Sequence, residues 1–90
     1  MLRFYKKGTE IILSSKENAI MKLFMDNINH IFSKDMIDDL VWGSSIIDDN
    51  AIMVYINRLR AKIEDTPSQP KYIQTVRGLG YRFVVAPVIQ

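Results

Sequence analysis

The chain has 90 residues, 48% of them hydrophobic, a net charge of +2 and no cysteine. That length supplies one modest core, so a single domain is expected, and without cysteine neither a disulfide framework nor a cysteine-based zinc site can stabilise it. Its apolar runs fall far short of the roughly 20 residues of a membrane-spanning helix, and Met1-Leu2-Arg3-Phe4 lacks the apolar stretch of a signal peptide. A soluble, cytoplasmic protein with no membrane partner is therefore expected. The charge is uneven: residues 1 to 54 carry six cations against eight carboxylates, whereas residues 55 to 90 carry six against two. A basic second part is the electrostatic footprint of a nucleic-acid partner, although for charge alone a solvated face is the simpler reading.

In chain order, residues 2 to 6 and 10 to 13 are β-prone runs around Lys7-Gly8-Thr9, a pattern that predicts a hairpin. Ser14-Ser15-Lys16-Glu17 matches a capping box, in which a hydroxyl and a carboxylate satisfy free amides at a helix start. Ala19, Ile20, Leu23, Phe24 and Ile28 follow at helical spacing, so a first helix is predicted to about Asn27 or Asn29. Ser33 is the predicted N-cap of a second helix from residue 34 to residue 42, with Met36, Ile37, Leu40 and Val41 inward and Gly43 as its stop. Residues 43 to 47 are then a loop.

The third helix is predicted from about Asp49 to Glu64, capped by Asp48 or Asp49. At 100° per residue Ile52, Ile56, Leu59 and Ile63 lie within about 60° of one another, a continuous core stripe. Asn50, Ala51, Val54, Asn57, Arg58 and Ala61 lie opposite, a small, polar and cationic face without the carboxylates that a merely solvated helix mixes in. Asn and Arg form bidentate bonds to adenine and guanine, and Ala or Val offers a methyl group to thymine. Arg60 and Lys62 flank this face, suited to phosphates.

Thr66-Pro67-Ser68-Gln69-Pro70 cannot continue a helix. Residues 72 to 76 and 81 to 85 are β-branched and aromatic, joined by Arg77-Gly78-Leu79-Gly80, which predicts a second hairpin with Arg77 at its corner. No helix follows the glycines to cradle an anion, so they are a turn and not a phosphate loop. A basic helix followed by a cation-bearing hairpin is what a winged helix needs to dock on duplex DNA.

Trp42-Gly43, the run Ile56 to Ile63 as I-x-R-L-R-x-K-I and the run Ile73 to Phe83 as I-x-T-V-R-G-x-G-Y-R-F together resemble the C-terminal effector domain of OmpR/PhoB-type response regulators. Leu13-Ser14-Ser15-Lys16-Glu17 stands where that family has its L-T-x-x-E helix start. The resemblance implies an α+β winged helix-turn-helix with a short N-terminal hairpin, a three-helix core and a C-terminal hairpin wing. It implies sequence-specific binding to double-stranded DNA at direct repeats, as the output domain of a two-component regulator whose receiver domain lies outside this chain. By the same resemblance Val54 and Arg58 enter the major groove with Asn50, Ala51 and Asn57 nearby. Trp42, Arg60, Thr75 and Tyr81 hold phosphates, with Lys62 a weaker candidate. Arg77 is the wing arginine of the minor groove, and Gly43, Ser44, Ser45, Ile46 and Ile47 belong to a loop facing RNA polymerase. The chain departs from the family at Asn50, where an arginine is common, at Met53, where an aspartate is common, and at Tyr55, where a histidine is common, all three bearing on base preference. Residues 1 to 13 supply only two of the family's four N-terminal strands, so an excised domain cut inside that sheet is expected. The isolated chain is expected to be monomeric and to form a head-to-tail pair on DNA.

Trp42 also suits a core aromatic, since an indole packs apolar surface and still offers its N–H. The aspartates at helix starts fit capping and the helix dipole better than a metal cluster, and His30 has no partner pattern for acid–base or nucleophilic work. No metal, cofactor or enzymatic activity is expected. Two alternatives remain in other regulators and binders: a stand-alone or membrane-tethered winged-helix activator, and a winged helix that binds only protein.

Overall fold

The computed structural model describes residues 3–43 and 49–85. Strands β1 (Phe4–Lys6) and β2 (Thr9–Ile11) pair antiparallel, Phe4 opposite Ile11 and Lys6 opposite Thr9. Lys7 and Gly8 both take positive φ between them, the two-residue turn whose twist matches a hairpin. Helix α1 (Ser15–Asp26) starts on the capping box read from the sequence: the Ser14 hydroxyl accepts from the Glu17 amide at 3.3 Å and the Glu17 carboxylate accepts from the Ser14 amide at 2.8 Å. It buries Glu17, Ile20, Met21 and Phe24, spaced three and four residues apart as one helix face requires.

Helix α2 (Lys34–Ile37) is capped by Ser33, whose hydroxyl accepts from the Met36 amide, and runs directly into a π-helical segment, Asp38–Trp42. This corrects the inward set expected for a regular helix. Ile37 is fully buried, but Met36 is 39% and Leu40 60% exposed, while Val41 and Trp42 pack on the core edge. A π turn closes i→i+5 and holds more residues than an α turn, so each residue after Ile37 lags behind its α-helical angle. The lag swings Leu40 off the core and brings Trp42 towards it.

Helix α3 (Asp49–Ile63) buries Ile52, Ile56 and Leu59, with Ile63 at the core margin. The second hairpin pairs β3 (Ile73–Val76) with β4 (Gly80–Phe83), Thr75 opposite Tyr81. It is shorter than the sequence runs suggest, although one further bond, from the Val84 amide to the Tyr72 carbonyl, extends it. On its other edge β4 bonds the connector between α1 and α2: Phe32 and Tyr81 exchange both backbone bonds, at 2.8 and 2.9 Å, and the Asn29 amide donates to the Phe83 carbonyl. Gly80 is essential to that approach, because a Cβ there would lie 2.1 Å from the Phe32 carbonyl oxygen.

The core therefore gathers α1, α2, α3 and the inner faces of β3 and β4 around Phe24, Phe32, Ile56, Leu59, Ile73 and Phe83. The architecture is α+β: among the described residues, three helices with two antiparallel hairpins. Among the described residues no helix is long and apolar enough to cross a membrane.

Candidate nucleic-acid interface

Packing of Ile52, Ile56 and Leu59 inward leaves the opposite side of α3 facing solvent. Asn50, Asn57, Arg58 and Ala61 are exposed, Val54 is 44% exposed and Ala51 is half-buried. The five residues proposed from the sequence for base edges thus share one accessible helix side. Met53, also exposed, adds an apolar thioether beside Val54. The Arg58 guanidinium lies 5.5 Å from the Tyr55 ring centroid. Tyr55 in turn meets Trp42 edge-on at 5.1 Å, and the Lys16 ammonium sits 5.4 Å above the Trp42 ring. Cations favour the negative face of an aromatic ring, so Tyr55 presets the direction from which Arg58 leaves the helix. The sequence singled out Tyr55 only as a departure from the family; its place three residues before Arg58 was the available signal.

The cations at the end of α3 have more specific roles. Arg60 donates to the Ile73 carbonyl at 3.1 and 2.9 Å and to the Thr75 hydroxyl at 2.8 Å, and its guanidinium lies 5.8 Å from the Tyr81 ring. Arg60, Thr75 and Tyr81 are thereby brought together where α3 meets β3. Tyr81 is 6% exposed and belongs mainly to the core. The Lys62 ammonium lies 2.6 Å from the buried Glu17 carboxylate, a contact between α3 and α1 that turns it away from the role of a free surface cation. Burial would by itself raise the Glu17 carboxyl. The Lys62 ammonium together with the Ser14 amide and hydroxyl outweighs that effect and holds the carboxyl below its ordinary value of 4.5.

Glu64 was missed by the sequence reading. It is 2% exposed, and its carboxylate accepts from three successive backbone amides: Lys71 at 2.8 Å, Tyr72 at 2.9 Å and Ile73 at 2.8 Å. Its own carbonyl accepts from the Lys6 ammonium at 2.8 Å, and Lys6 also pairs with Asp65 at 3.3 Å. The pair of carboxylates Glu64-Asp65 directly after a cationic helix end, just before a proline-bounded turn, was the sequence signal.

Arg77 is exposed at the corner of the wing, between Val76 and Gly78. Behind it an open groove runs between the start of α2 and the wing, lined by Ser33, Lys34, Thr75, Gly78 and Tyr81 among others. Trp42 is half-buried at the end of the π segment, so the core and the surface readings of that residue both retain a part of it. Of the loop expected to face RNA polymerase, Gly43 closes the π segment with φ 68°, while Ser44, Ser45, Ile46 and Ile47 lie outside the described residues.

Comparison with known proteins agrees with the fold. The family described as "Transcriptional regulatory protein, C terminal" matches residues 8–83. The chain is 46% identical over 81 residues to the transcriptional regulatory protein YvrH of Bacillus subtilis, covering 89% of this chain and 34% of that protein. It superposes on the response regulator DrrB of Thermotoga maritima, an OmpR/PhoB homologue, with a TM-score of 0.84 and 30% identity over 90% of this chain and 37% of that one. It also superposes on the RstA DNA-binding domain of Klebsiella pneumoniae, solved in complex with the RstA box, with a TM-score of 0.80 and 26% identity over 91% of this chain and 82% of that one. The chain spans about a third of the length of the curated relatives it matches. It belongs to the C-terminal family of transcriptional regulatory proteins, the winged-helix DNA-binding output domains of OmpR/PhoB-type response regulators.

Proposed function

We infer that this chain reads a specific duplex sequence with α3 in the major groove and the β3–β4 wing on the adjacent minor groove. Asn50, Ala51, Val54, Asn57 and Arg58 face base edges, Trp42, Arg60 and Thr75 face phosphates with the mainly buried Tyr81 behind Arg60, and Arg77 enters the minor groove. Lys62 is left out of the phosphate set because of its contact with Glu17. The observation that carries this reading is the outer side of α3, where amide, methyl and guanidinium groups stand together and no carboxylate occurs from residue 50 to residue 63. Bases are read by such groups, and an inserted guanidinium favours the enhanced negative potential of a narrow, A·T-rich minor groove.

The single domain of residues 1 to 90 acts in the cytoplasm as the output end of a longer two-component regulator, with a receiver domain controlling its access to direct-repeat promoter sites. Residues 43 to 47 face RNA polymerase on the bound promoter. Selection of duplexes from a random pool, followed by titration of Arg58→Ala, tests the base-reading part. A loss of about 1–3 kcal/mol on the selected duplex, with relaxed preference at one base pair, is expected. An equal loss on random duplex removes Arg58 from base readout.

A further inference from the structure

We propose that Glu64 is a positioning residue, which fixes the wing at the angle to α3 that lets one bound domain read both grooves at once. The proposal rests on the docking mode above and adds a residue that touches no DNA. The wing has two anchors. Strand β4 is bonded to the connector at Asn29 and Phe32, which holds the hairpin to the α1–α2 side and leaves its relation to α3 to other contacts. Besides the apolar core that Ile56 and Leu59 share with Ile73 and Phe83, those contacts are polar and come from Arg60 on α3 and from Glu64 one turn later, just past its last residue: Glu64 gathers the amides of residues 71 to 73, and Arg60 grips the Ile73 carbonyl and the Thr75 hydroxyl. Both polar groups of the Ile73 backbone are therefore tied to α3, one by an anion and the other by a cation, and such charge-assisted bonds are the stronger and more directional kind.

The geometry magnifies this anchor. Arg77 stands four residues beyond Ile73, about 13 Å along an extended strand, so a swing of about 10° at the clamp would move the wing corner by about 2 Å. The minor groove is only about 6 Å wide, and a shift of that size is enough to withdraw a guanidinium from it. Glu64 is suited to the task because it is buried and meets donors only. A glutamine there would turn an NH2 group towards amides that themselves donate.

The test uses the full chain and a duplex selected by the wild type, compared with a second duplex in which the flanking A·T pairs beside the major-groove site are G·C. Wild type is expected to prefer the A·T-flanked duplex about fivefold or more, and Arg77→Ala to lose that preference. Glu64→Gln should lose it too while keeping wild-type discrimination at the base pair read by Arg58, and Glu64→Gln combined with Arg77→Ala should lose no more flank preference than either alone. A folded Glu64→Gln protein with an undiminished flank preference overturns the proposal. Where Glu64→Gln does not fold, Glu64→Asp, which keeps the charge but is one methylene shorter, is put through the same comparison. Residual dipolar couplings of the free protein separate the clamp from the reading of Arg77: they report the orientation of β3 and β4 relative to α3 with no DNA present. If wild type shows no flank preference, the minor-groove role of Arg77 fails, and an orientation changed in the Glu64 variant still upholds the clamp. An unchanged orientation overturns it.

Discussion

Lys62 is a half-buried cation whose ammonium turns inward to a carboxylate of α1. That Glu17 carboxylate is only 2% exposed, and removing the ammonium leaves its buried charge with the Ser14 amide and hydroxyl alone. Lys62→Met should therefore destabilise the fold by about 1–3 kcal/mol in urea titrations. It should leave the salt dependence of DNA binding unchanged, whereas loss of a phosphate contact would flatten the slope of log K by about one. Glu17 adds a pH signature with a definite sign. Its folded carboxyl titrates below the ordinary value of 4.5, so the ionised form stabilises the fold above that value and the contribution disappears as pH falls through the lower, folded value. The stability advantage of wild type over Glu17→Gln should thus shrink as pH falls from neutral through and below 4.5. An advantage that stays constant across this range would show that the ionised carboxylate is not the stabilising form.

Among the elements, α2 carries the clearest departure from regular periodicity. The π segment Asp38–Trp42 places Leu40 outside the core and leaves Ile37 as the fully buried residue of that helix. Leu40→Gln is accordingly expected to change stability by no more than about 0.5 kcal/mol, against about 2–5 kcal/mol for Ile37→Ala. Denaturant midpoints of the two variants decide the matter, and comparable losses would mean that the segment winds as a regular α-helix with Leu40 inside. The wing shows the opposite case, in which local chemistry was already sufficient. Its turn residues and its β-branched strands both favour the same hairpin.

The whole molecule measures 39 × 28 × 23 Å, and its long dimension is close to one turn of duplex, about 34 Å. One α3 and one wing are expected to read about half of a regulatory site, with two copies set one turn apart in the same direction on a full one. The isolated chain is expected to sediment as a monomer, to bind a single half-site modestly and to occupy a direct repeat more tightly than an inverted one. Tethering through receiver domains would raise the affinity by roughly 10²-fold or more through effective concentration alone. A stable dimer in free solution, or a preference for the inverted repeat, contradicts this arrangement.

The sequence by itself determined what depends on neighbours along the chain. The capping box at Ser14 and Glu17, the inward stripe of Ile52, Ile56 and Leu59 and the turn after Val76 are local or periodic signals, and each has its place in the structure, the turn spanning Arg77 to Leu79 with Gly80 already in β4. The motifs around Arg58 and Arg77 likewise carried the family. The tertiary structure alone decided which charges remain for a partner, because a side chain's free valence depends on what lies across space. Lys62 meets Glu17 across 45 positions of sequence, Arg60 meets Thr75 across 15, and Glu64 reaches amides that a proline-bounded turn folds back to it. The π winding of α2 was hidden for a related reason. Regular α spacing predicts Leu40 inward, and only the competing demands of packing Ile37, Val41 and Trp42 on one core favour the wider turn that turns Leu40 out.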